Sequence, residues 1–394
     1  MNLIYLEPRL EGHCATFLTI FLDHAQKDQS VKELHVVVGE DLATRTGIFP
    51  NNRLLGKVTV EYLDTQSLRA CREGPLWRRG LSQWQIARNQ LKYRNGAICL
   101  IPFFDQTLLG AVLDRRHVKG VITGIIFRPP TKLDNTAQVG KIVKTLWKMC
   151  AYIISYRRAT PVLFTLDEEY KNTTANVVAR RFKFVPDPFP LAGEFKWISR
   201  ESRSNSTSRT KFLLFGALNE RKGIFVLLKS LRCLSDEEGR RSEFQFVGRL
   251  SDMDARAFQS ELWDLRVVRP NLKLSLIDEY VEDKKLIRII ENSDVVLLPY
   301  QNHVGSSGGL YWAAAAHKPV IGQNSGLIGI HLLKFGLGLS CNTADPVSLT
   351  EAIRKFIWSD RTKFVSGARF DDFLRGHTPT NFYQALTTTF QRLM

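Results

Sequence analysis

The chain has 394 residues, of which 44% are hydrophobic and 24% charged, and its 55 Lys and Arg against 39 Asp and Glu give a formal net charge of +16. This hydrophobic content excludes a disordered, collagenous or low-complexity protein, and the length predicts two or three domains. The excess of positive charge predicts an anionic partner: a nucleic acid, an anionic membrane surface or a phosphorylated substrate.

The sequence predicts a cytosolic protein without a membrane-spanning helix. Its longest apolar runs, 97–104 and 295–299, fall short of the roughly 18 residues that cross a bilayer. The first ten residues have no cationic start and no small-residue cleavage site, so no secretory signal is expected. The six cysteines are scattered without metal-ligand spacing, and we expect them to be buried free thiols.

Short β-type runs alternate with helical patterns along the first half of the chain, which is typical of a parallel α/β sheet. The predicted strands are 2–6, 33–38, 57–62, 97–102, 121–127 and 162–165. The helix candidates lie near 13–25, 105–113 and 139–156. Three prolines at 186–190 and a Ser- and Arg-rich stretch at 199–210 then interrupt the series.

A second α/β series follows this interruption. Its predicted strands are 212–215, 244–247, 272–276, 295–298 and 319–321, and its predicted helices are 224–234, a helix from 253, 284–290 and 311–316. The pattern predicts an α/β protein of two doubly wound, Rossmann-like domains that face each other across a cleft. Ligands of such sheets bind at the carboxyl ends of the strands. The predicted boundaries are 1–188 for the first domain, 189–211 for the linker, 212–370 for the second domain and 371–394 for a helical segment that packs back on the first domain.

Four segments of the second domain carry the most specific motif. They are Phe215–Gly223, Phe246–Arg249, Asp294–Tyr300 and Gly305–Leu310. In this order and spacing they resemble the nucleotide-sugar-binding domain of the GT-B glycosyltransferases, closest to the large family 4 of retaining enzymes. The resemblance covers 212–356 well and the first domain only loosely. It implies the GT-B fold, a nucleotide-diphosphate sugar as donor and an acceptor held by the first domain.

The residue types in these segments suit a diphosphate on physical grounds. A predicted helix opens from the glycine-serine loop, which consists of Gly305, Ser306, Ser307, Gly308 and Gly309. Such a loop presents backbone N–H groups and the positive end of a helix to an anion. Gly216, Arg221 and Lys222 lie at another strand-to-helix turn, where the two cations can stabilise the charge that grows on a departing nucleoside diphosphate. We therefore predict neither a metal nor a cofactor.

Three positions depart from the family pattern. Ala217 stands where an Arg commonly holds the diphosphate. Val304 and Trp312 stand where the family has two Glu residues, which contact the donor sugar and the ribose. Neither side chain can accept a hydrogen bond from ribose. Three alternatives follow: the nucleotide is held differently, by stacking and by Tyr280 or Glu279, or the donor differs, or the site is inactive. These departures keep open the alternative of a non-catalytic GT-B-like binding subunit.

The first domain offers three further site candidates. Gly12 and His13 follow the first predicted strand, where the family's loop approaches the donor diphosphate. His13 can bind the phosphate or act as a base, although a His at a helix start is more often a cap or a surface residue. Arg128 follows the predicted strand 121–127, where related enzymes often carry a His that faces the cleft. An ordinary surface Arg before two prolines is an equally good interpretation.

An apparent metal motif, Asp252-Met253-Asp254, is interpreted as a helix start. In the other glycosyltransferase fold such a motif follows an apolar strand, whereas here it follows Ser251. A capping role for Asp254 is therefore predicted.

Basic and aromatic residues interleave in the first domain, at 77–94 and again at 141–158. Basic amphipathic helices with Trp at the polar boundary suit adsorption to an anionic membrane, and a core helix with a solvated basic face is an equal alternative. No helix-turn-helix, zinc-finger or RNA-recognition motif is present, which disfavours nucleic acid.

The sequence therefore predicts a glycosyltransferase of retaining, metal-independent type. The expected acceptor is a glycan or a lipid-linked saccharide of cell-surface polysaccharide synthesis. The expected location is the cytoplasm, with peripheral association at the inner face of the plasma membrane. His13, Arg128 and Lys222 are the predicted catalytic residues.

Overall fold

The computed structural model describes residues 1–10, 14–47, 56–114, 116–127, 129, 147, 149–156, 159–170, 181–190 and 209–394. The chain forms two compact units. Unit 1 contains residues 1–188 together with 379–394, and unit 2 contains residues 189–378.

Unit 1 is built on a seven-stranded parallel sheet with the order β3-β2-β1-β4-β5-β6-β7. Its strands are β1 Asn2–Glu7, β2 Glu33–Val38, β3 Val58–Tyr62, β4 Ile98–Ile101, β5 Val121–Ile126, β6 Leu163–Thr165 and β7 Phe182–Phe184. The central strands are nearly continuous apolar runs because helices cover both faces of a parallel sheet.

The helices of unit 1 are Cys14–Ala25, Glu40–Thr46, Thr65–Arg72, Leu76–Lys92, Phe104–Leu113 and Pro379–Gln391, and residues 149–156 are also helical. The C-terminal helix packs on the first one: the Phe382 ring centre lies 4.9 Å from that of Phe17, and Tyr383 donates a 2.8 Å hydrogen bond to Asp28. Residues at both ends of the chain therefore share one core.

Unit 2 is built on a six-stranded parallel sheet with the order β10-β9-β8-β11-β12-β13. Its strands are β8 Thr210–Phe215, β9 Ser242–Val247, β10 Lys273–Ile277, β11 Val295–Leu298, β12 Val320–Gln323 and β13 Gly338–Cys341. Both sheets are doubly wound, as predicted, because the strand order reverses once in each, between β1 and β4 and between β8 and β11.

The helices of unit 2 are Ile224–Arg232, Asp236–Arg240, Ala255–Val268, Asp283–Asn292, Gly308–Ala315, Gly326–Phe335, Pro346–Trp358 and Phe370–Gly376, with single 3-10 turns at Glu220–Lys222 and Arg361–Phe364. Large aromatic side chains fill the core between helices and sheet. The rings of Phe212 and Phe244, on neighbouring strands, stack with their centres 4.7 Å apart.

The cysteine prediction is correct in part. All six cysteines are free, and four of them are buried. Cys150 and Cys233 are exposed, because each lies on the solvent side of a helix or at its end rather than under the sheet.

Candidate functional site

The site lies in unit 2, where the strand order reverses between β8 and β11. Loops after two such strands diverge to opposite faces of the sheet and leave a crevice at the carboxyl edge. Gly216 follows β8 in this crevice, and Tyr300 comes two residues after β11. The side chains that surround these two positions form the site.

The turn after β8 is held by tight packing and by side-chain caps. Gly216 and Gly223 have φ angles of 104° and 81°, which favour glycine. Between them Asn219 accepts a 3.0 Å hydrogen bond from the Lys222 backbone N–H. The Asp254 carboxylate accepts a 3.2 Å hydrogen bond from the Glu220 N–H. The conformation of the residues that carry the two cations of this turn is therefore fixed.

Asp254 corrects a detail of the predicted helix start. It occupies the N-cap position of Ala255–Val268, but its side chain makes no capping hydrogen bond to that helix. Its Oδ2 atom instead accepts one hydrogen bond from Ser251 Oγ at 2.6 Å and another from the Glu220 backbone N–H at 3.2 Å. Within the described residues, no group of three or more His, Cys, Asp or Glu side chains is arranged to hold a metal ion.

Lys222 is the central residue of the site. It is only 5% exposed, and its ammonium Nζ donates a 2.8 Å hydrogen bond to Tyr300 Oη. A Cβ atom built on Gly216 would lie 3.6 Å from Nζ, and one built on Gly309 would lie 3.8 Å from it, so the ammonium lies between the two glycine turns. No carboxylate pairs with it in the part of the chain that the structure describes. A buried cation without a counterion favours the binding of an anion.

Tyr300 joins Lys222 to the glycine-serine loop. Its Oη atom accepts one hydrogen bond from Lys222 and a second, 3.1 Å long, from Ser307 Oγ. Burial by itself raises the pKa of the Tyr300 phenol, but the charge and the hydrogen bond of Lys222 outweigh it, with help from Ser307 and Arg221. The net result is a pKa below the usual value for tyrosine.

The glycine-serine loop opens the helix Gly308–Ala315. Ser307 occupies the N-cap position but makes no capping hydrogen bond with its side chain, since its hydroxyl donates to Tyr300. The first N–H groups of a helix have no partner inside it and attract an anion. A Cβ on Gly309 would lie 2.7 Å from Leu298 Cδ2, so the close approach of this helix to β11 requires glycine there.

Arg221 supplies a second cation beside Lys222. Its guanidinium carbon lies 5.4 Å from the centre of the Tyr300 ring, and its Nη1 atom lies 3.3 Å from His303 Nδ1. The His303 ring stacks on Tyr300 at 4.6 Å, and its Nε2 donates a 2.8 Å hydrogen bond to the Ser306 carbonyl. His303 therefore links the Arg221 side chain to the loop.

The structure brings together six of the predicted site residues through these contacts, namely Gly216, Arg221, Lys222, Ser306, Ser307 and Gly309. Gly305 and Gly308 belong to the same glycine-serine loop, and Gly308 begins the helix. It does not bring Tyr280 to them, because that side chain is 75% exposed beyond β10 and none of the contacts described above involves it. Gly12, His13 and Arg128 lie outside the described residues.

Two positions that depart from the family pattern, and Glu279, do not take part in the contacts described above. Val304 is 46% exposed. The Trp312 ring packs edge-on against Phe189, with the ring centres 5.7 Å apart. Glu279 pairs with Lys285 at 2.5 Å.

Tyr300 and His303 were not predicted as site residues. A signal for Tyr300 was present, since a polar aromatic residue directly follows an apolar strand and a proline at the place where the strand order reverses. No sequence signal pointed to His303, whose contacts depend on how the loop folds back.

Unit 1 contains a buried carboxyl group that the sequence did not single out. Glu7, at the carboxyl end of β1, is 1% exposed; its Oε1 accepts from the Arg9 N–H at 2.9 Å, and its Oε2 has no hydrogen-bond partner among the described atoms. Burial raises the pKa of Glu7 to about 7, against smaller opposing effects of Arg9 and the Cys14 thiol.

This raised pKa predicts a pH-dependent stability. Glu7 keeps its proton in the folded chain up to about pH 7, whereas in the unfolded chain it loses it near 4.5. The unfolded state therefore gains stability between these values, and the free energy of unfolding should fall by about 3 kcal/mol as the pH rises through this window. Glu7→Gln should abolish this fall and Glu73→Gln, at an exposed position, should not. Denaturant unfolding at a series of pH values is the measurement, and equal pH profiles for wild type and Glu7→Gln would contradict it.

Two sequence-based comparisons find nothing: no family model matches the chain, and no curated protein matches it. Solved structures do resemble it over its whole length. One is HepE from Anabaena in complex with UDP, at 12% identity and a TM-score of 0.66, with 100% of each chain covered. Another is a glycosyltransferase from Rickettsia africae, at 11% identity and a TM-score of 0.67, with 100% of this chain and 98% of that chain covered.

A third is a UDP-forming trehalose-phosphate synthase from Burkholderia xenovorans in complex with glucose-6-phosphate. It has 12% identity and a TM-score of 0.66, with 99% of this chain and 100% of that chain covered. These likenesses, together with the two doubly wound sheets, confirm the predicted GT-B fold. Membership in family 4 stays a prediction. No helix among the described residues is long and apolar enough to span a membrane.

Proposed function

We propose that the chain is a glycosyltransferase whose unit 2 binds the diphosphate of a nucleotide sugar. The observation that carries this proposal is Lys222, a buried ammonium without a carboxylate partner among the described residues, placed between two glycine turns. Of the three kinds of anion that the net charge allows, a diphosphate suits this position best, since a buried cation, a second cation beside it and the start of a helix lie together there.

The same groups can assist the reaction. In glycosyl transfer the bond between the anomeric carbon and a diphosphate oxygen breaks, and negative charge grows on the departing nucleoside diphosphate. Lys222, Arg221 and the N–H groups at Gly308 and Gly309 would stabilise this charge directly, with no metal needed. In the retaining course that we propose, the leaving phosphate itself accepts the proton of the incoming hydroxyl, so no carboxylate nucleophile is required.

The solved structures support the choice of donor. One was obtained with UDP, another with UDP and glucose, and a third, from E. coli, with UDP-2-fluoro glucose. UDP-glucose is therefore the first donor to try. For the acceptor we propose a glycan or lipid-linked saccharide of cell-surface polysaccharide synthesis, used in the cytoplasm.

Release of nucleoside diphosphate from a panel of nucleotide sugars tests the proposal. A glycosyltransferase should release diphosphate from one donor well above the background, by transfer to an added saccharide or slowly to water. The second candidate, a non-catalytic GT-B-like subunit that binds a partner or a glycan, is favoured by Ala217, Val304 and Trp312, and would release diphosphate from no donor. No binding of any nucleotide would contradict the proposed diphosphate site.

We also propose that an anionic membrane is the partner of the basic surface of unit 1. At the start of the helix Leu76–Lys92, Leu76 is 54% and Trp77 46% exposed, and the Arg78 guanidinium lies 5.0 Å from the Trp77 ring. Arg69 and Arg78, together with one acidic residue, Glu73, line a surface cavity of about 410 Å³ next to this helix start. Exposed apolar side chains among arginines suit the headgroup region of a bilayer.

Replacing both Leu76 and Trp77 by Ser should reduce partitioning onto anionic vesicles by roughly tenfold or more, because each apolar side chain contributes about 1.5–3 kcal/mol when fully buried. Trp263→Ser, at a 66% exposed Trp of unit 2, is the matched control and should bind like wild type. Sedimentation with vesicles is the measurement. Tight binding to duplex DNA with no vesicle binding at the same salt concentration would favour nucleic acid instead.

A further inference from the structure

The Tyr300 phenol has an O–H donor that it does not use among the described residues. Its oxygen accepts two hydrogen bonds, from Lys222 Nζ at 2.8 Å and from Ser307 Oγ at 3.1 Å. A neutral phenol can accept two hydrogen bonds and donate one. Among the described residues no acceptor takes a hydrogen bond from Tyr300, although the side chain is only 7% exposed. A buried O–H group without an acceptor destabilises the protein unless a ligand accepts its hydrogen bond.

The surroundings of this phenol show which ligand would complete it. Among the described residues, three charged or titratable side chains contact the ring: Lys222 and Arg221 come from the turn after β8, and His303 stacks on the ring from the following loop. Lys222 and Arg221 are cations, and neither forms an ion pair with a carboxylate in the described part of the chain. An anion with several acceptor oxygens matches this arrangement.

We propose that Tyr300 is a further binding residue of the diphosphate site, whose O–H donates to a phosphate oxygen while its oxygen holds Lys222 and Ser307 in position. This inference rests on the proposed function. Tyr300 thereby connects the cation of one turn to the first residue of the glycine loop, and all three side chains can meet the same diphosphate. The His303 ring, stacked 4.6 Å from the Tyr300 ring, packs against the phenol in this orientation.

This role makes nucleotide binding sensitive to alkaline pH. Loss of the phenolic proton removes the donor and places a negative charge next to the ligand. A bound diphosphate opposes that ionisation, so the pKa of Tyr300 is higher in the complex than in the free protein. Between the two values binding takes up one proton, and the affinity should fall roughly tenfold for each pH unit.

Calorimetric titration with UDP between about pH 7 and about pH 10, spanning the usual tyrosine range, compares wild type with Tyr300→Phe. The variant keeps the ring that stacks on His303. At neutral pH it should bind UDP roughly tenfold or more weakly, as expected for one lost hydrogen bond to a charged group. Its affinity should also lack the early alkaline fall. Tyr93→Phe, at a 78% exposed tyrosine of unit 1, should behave like wild type.

Ultraviolet absorbance gives a second readout that needs no nucleotide. Of the ten tyrosines, one should ionise before the others in wild type, and this early phenol should be absent in Tyr300→Phe. Equal UDP affinity and an equal pH profile in wild type and Tyr300→Phe would overturn the inference while leaving the proposed function intact. Failure of wild type to bind any nucleotide at neutral pH would overturn the proposed function, and the inference with it.

Discussion

Lys222→Met is expected to raise the activation free energy of turnover of the nucleotide sugar by about 2–4 kcal/mol, which lowers the rate roughly 30- to 900-fold. This is the usual effect of deleting one group that stabilises a departing anion. Methionine fills a similar volume without the charge. Turnover of the best donor, measured as diphosphate released, is the readout.

The fold should tolerate this change. Lys222 is 5% exposed and has no carboxylate partner among the described residues, so removal of its charge leaves no buried counterion behind. We expect the free energy of unfolding to change by no more than about 1 kcal/mol, in the range of ordinary substitutions. Lys229→Met, on the exposed side of the next helix, is the matched control and should leave turnover unchanged. Near-normal turnover in Lys222→Met would assign Lys222 a purely structural role.

Gly223→Ala is expected to destabilise unit 2 by about 3–5 kcal/mol, at the high end for a single substitution. A Cβ atom at this position would lie 1.9 Å from the Pro299 carbonyl oxygen, and the φ angle of 81° is one that alanine rarely adopts. The clash pushes apart the turn that carries Lys222 and the segment that carries Tyr300. Nucleotide binding should therefore be lost together with stability.

Denaturant unfolding of the variant measures this effect. Gly367→Ala is the control, because a Cβ there meets no atom within 4 Å and its φ angle is not positive, so its stability should stay within about 0.5 kcal/mol of wild type. Wild-type stability in Gly223→Ala would mean that the two segments do not pack as closely as described.

The sequence predicted the strands that frame the site because they are short apolar runs between turn residues. It identified β8 and β11 nearly to the residue, and with them the positions of Lys222 and the glycine-serine loop. The segments after β8 and β11 could be predicted to lie near each other because a doubly wound parallel sheet places the carboxyl ends of its strands at one edge. Much of the site therefore followed from local patterns alone.

Contacts between distant residues could not be predicted in the same way. Lys222 and Tyr300 are 78 residues apart, and no local sequence pattern predicts that their side chains are in contact. The helix Gly308–Ala315 begins three residues before the predicted start, because glycine has a low helix propensity and the requirement for Gly309 comes from its contact with Leu298. The strand Gly338–Cys341 was missed for a related reason: it begins at a glycine with a φ angle of 146°.

The short helix Thr65–Arg72 of unit 1 was also missed, whereas Leu76–Lys92 was predicted only as a basic amphipathic stretch at 77–94. The helices Thr65–Arg72 and Leu76–Lys92 are separated by the turn at Gly74 and Pro75, and their charged residues obscure the narrow buried face. That face includes Trp84, which is fully buried. Packing against the neighbouring helix, rather than local propensity, determines its position.

Calorimetric titration of the wild-type protein with UDP in excess chelator tests the central claim most directly. Lys222, Arg221 and the start of the helix Gly308–Ala315 already supply the positive charge that a diphosphate needs. We predict one binding site per chain, unchanged in affinity when the divalent metal is removed and strongly weakened in Lys222→Met. Binding that disappears with the metal, or that is the same in Lys222→Met, would contradict the assignment of this site.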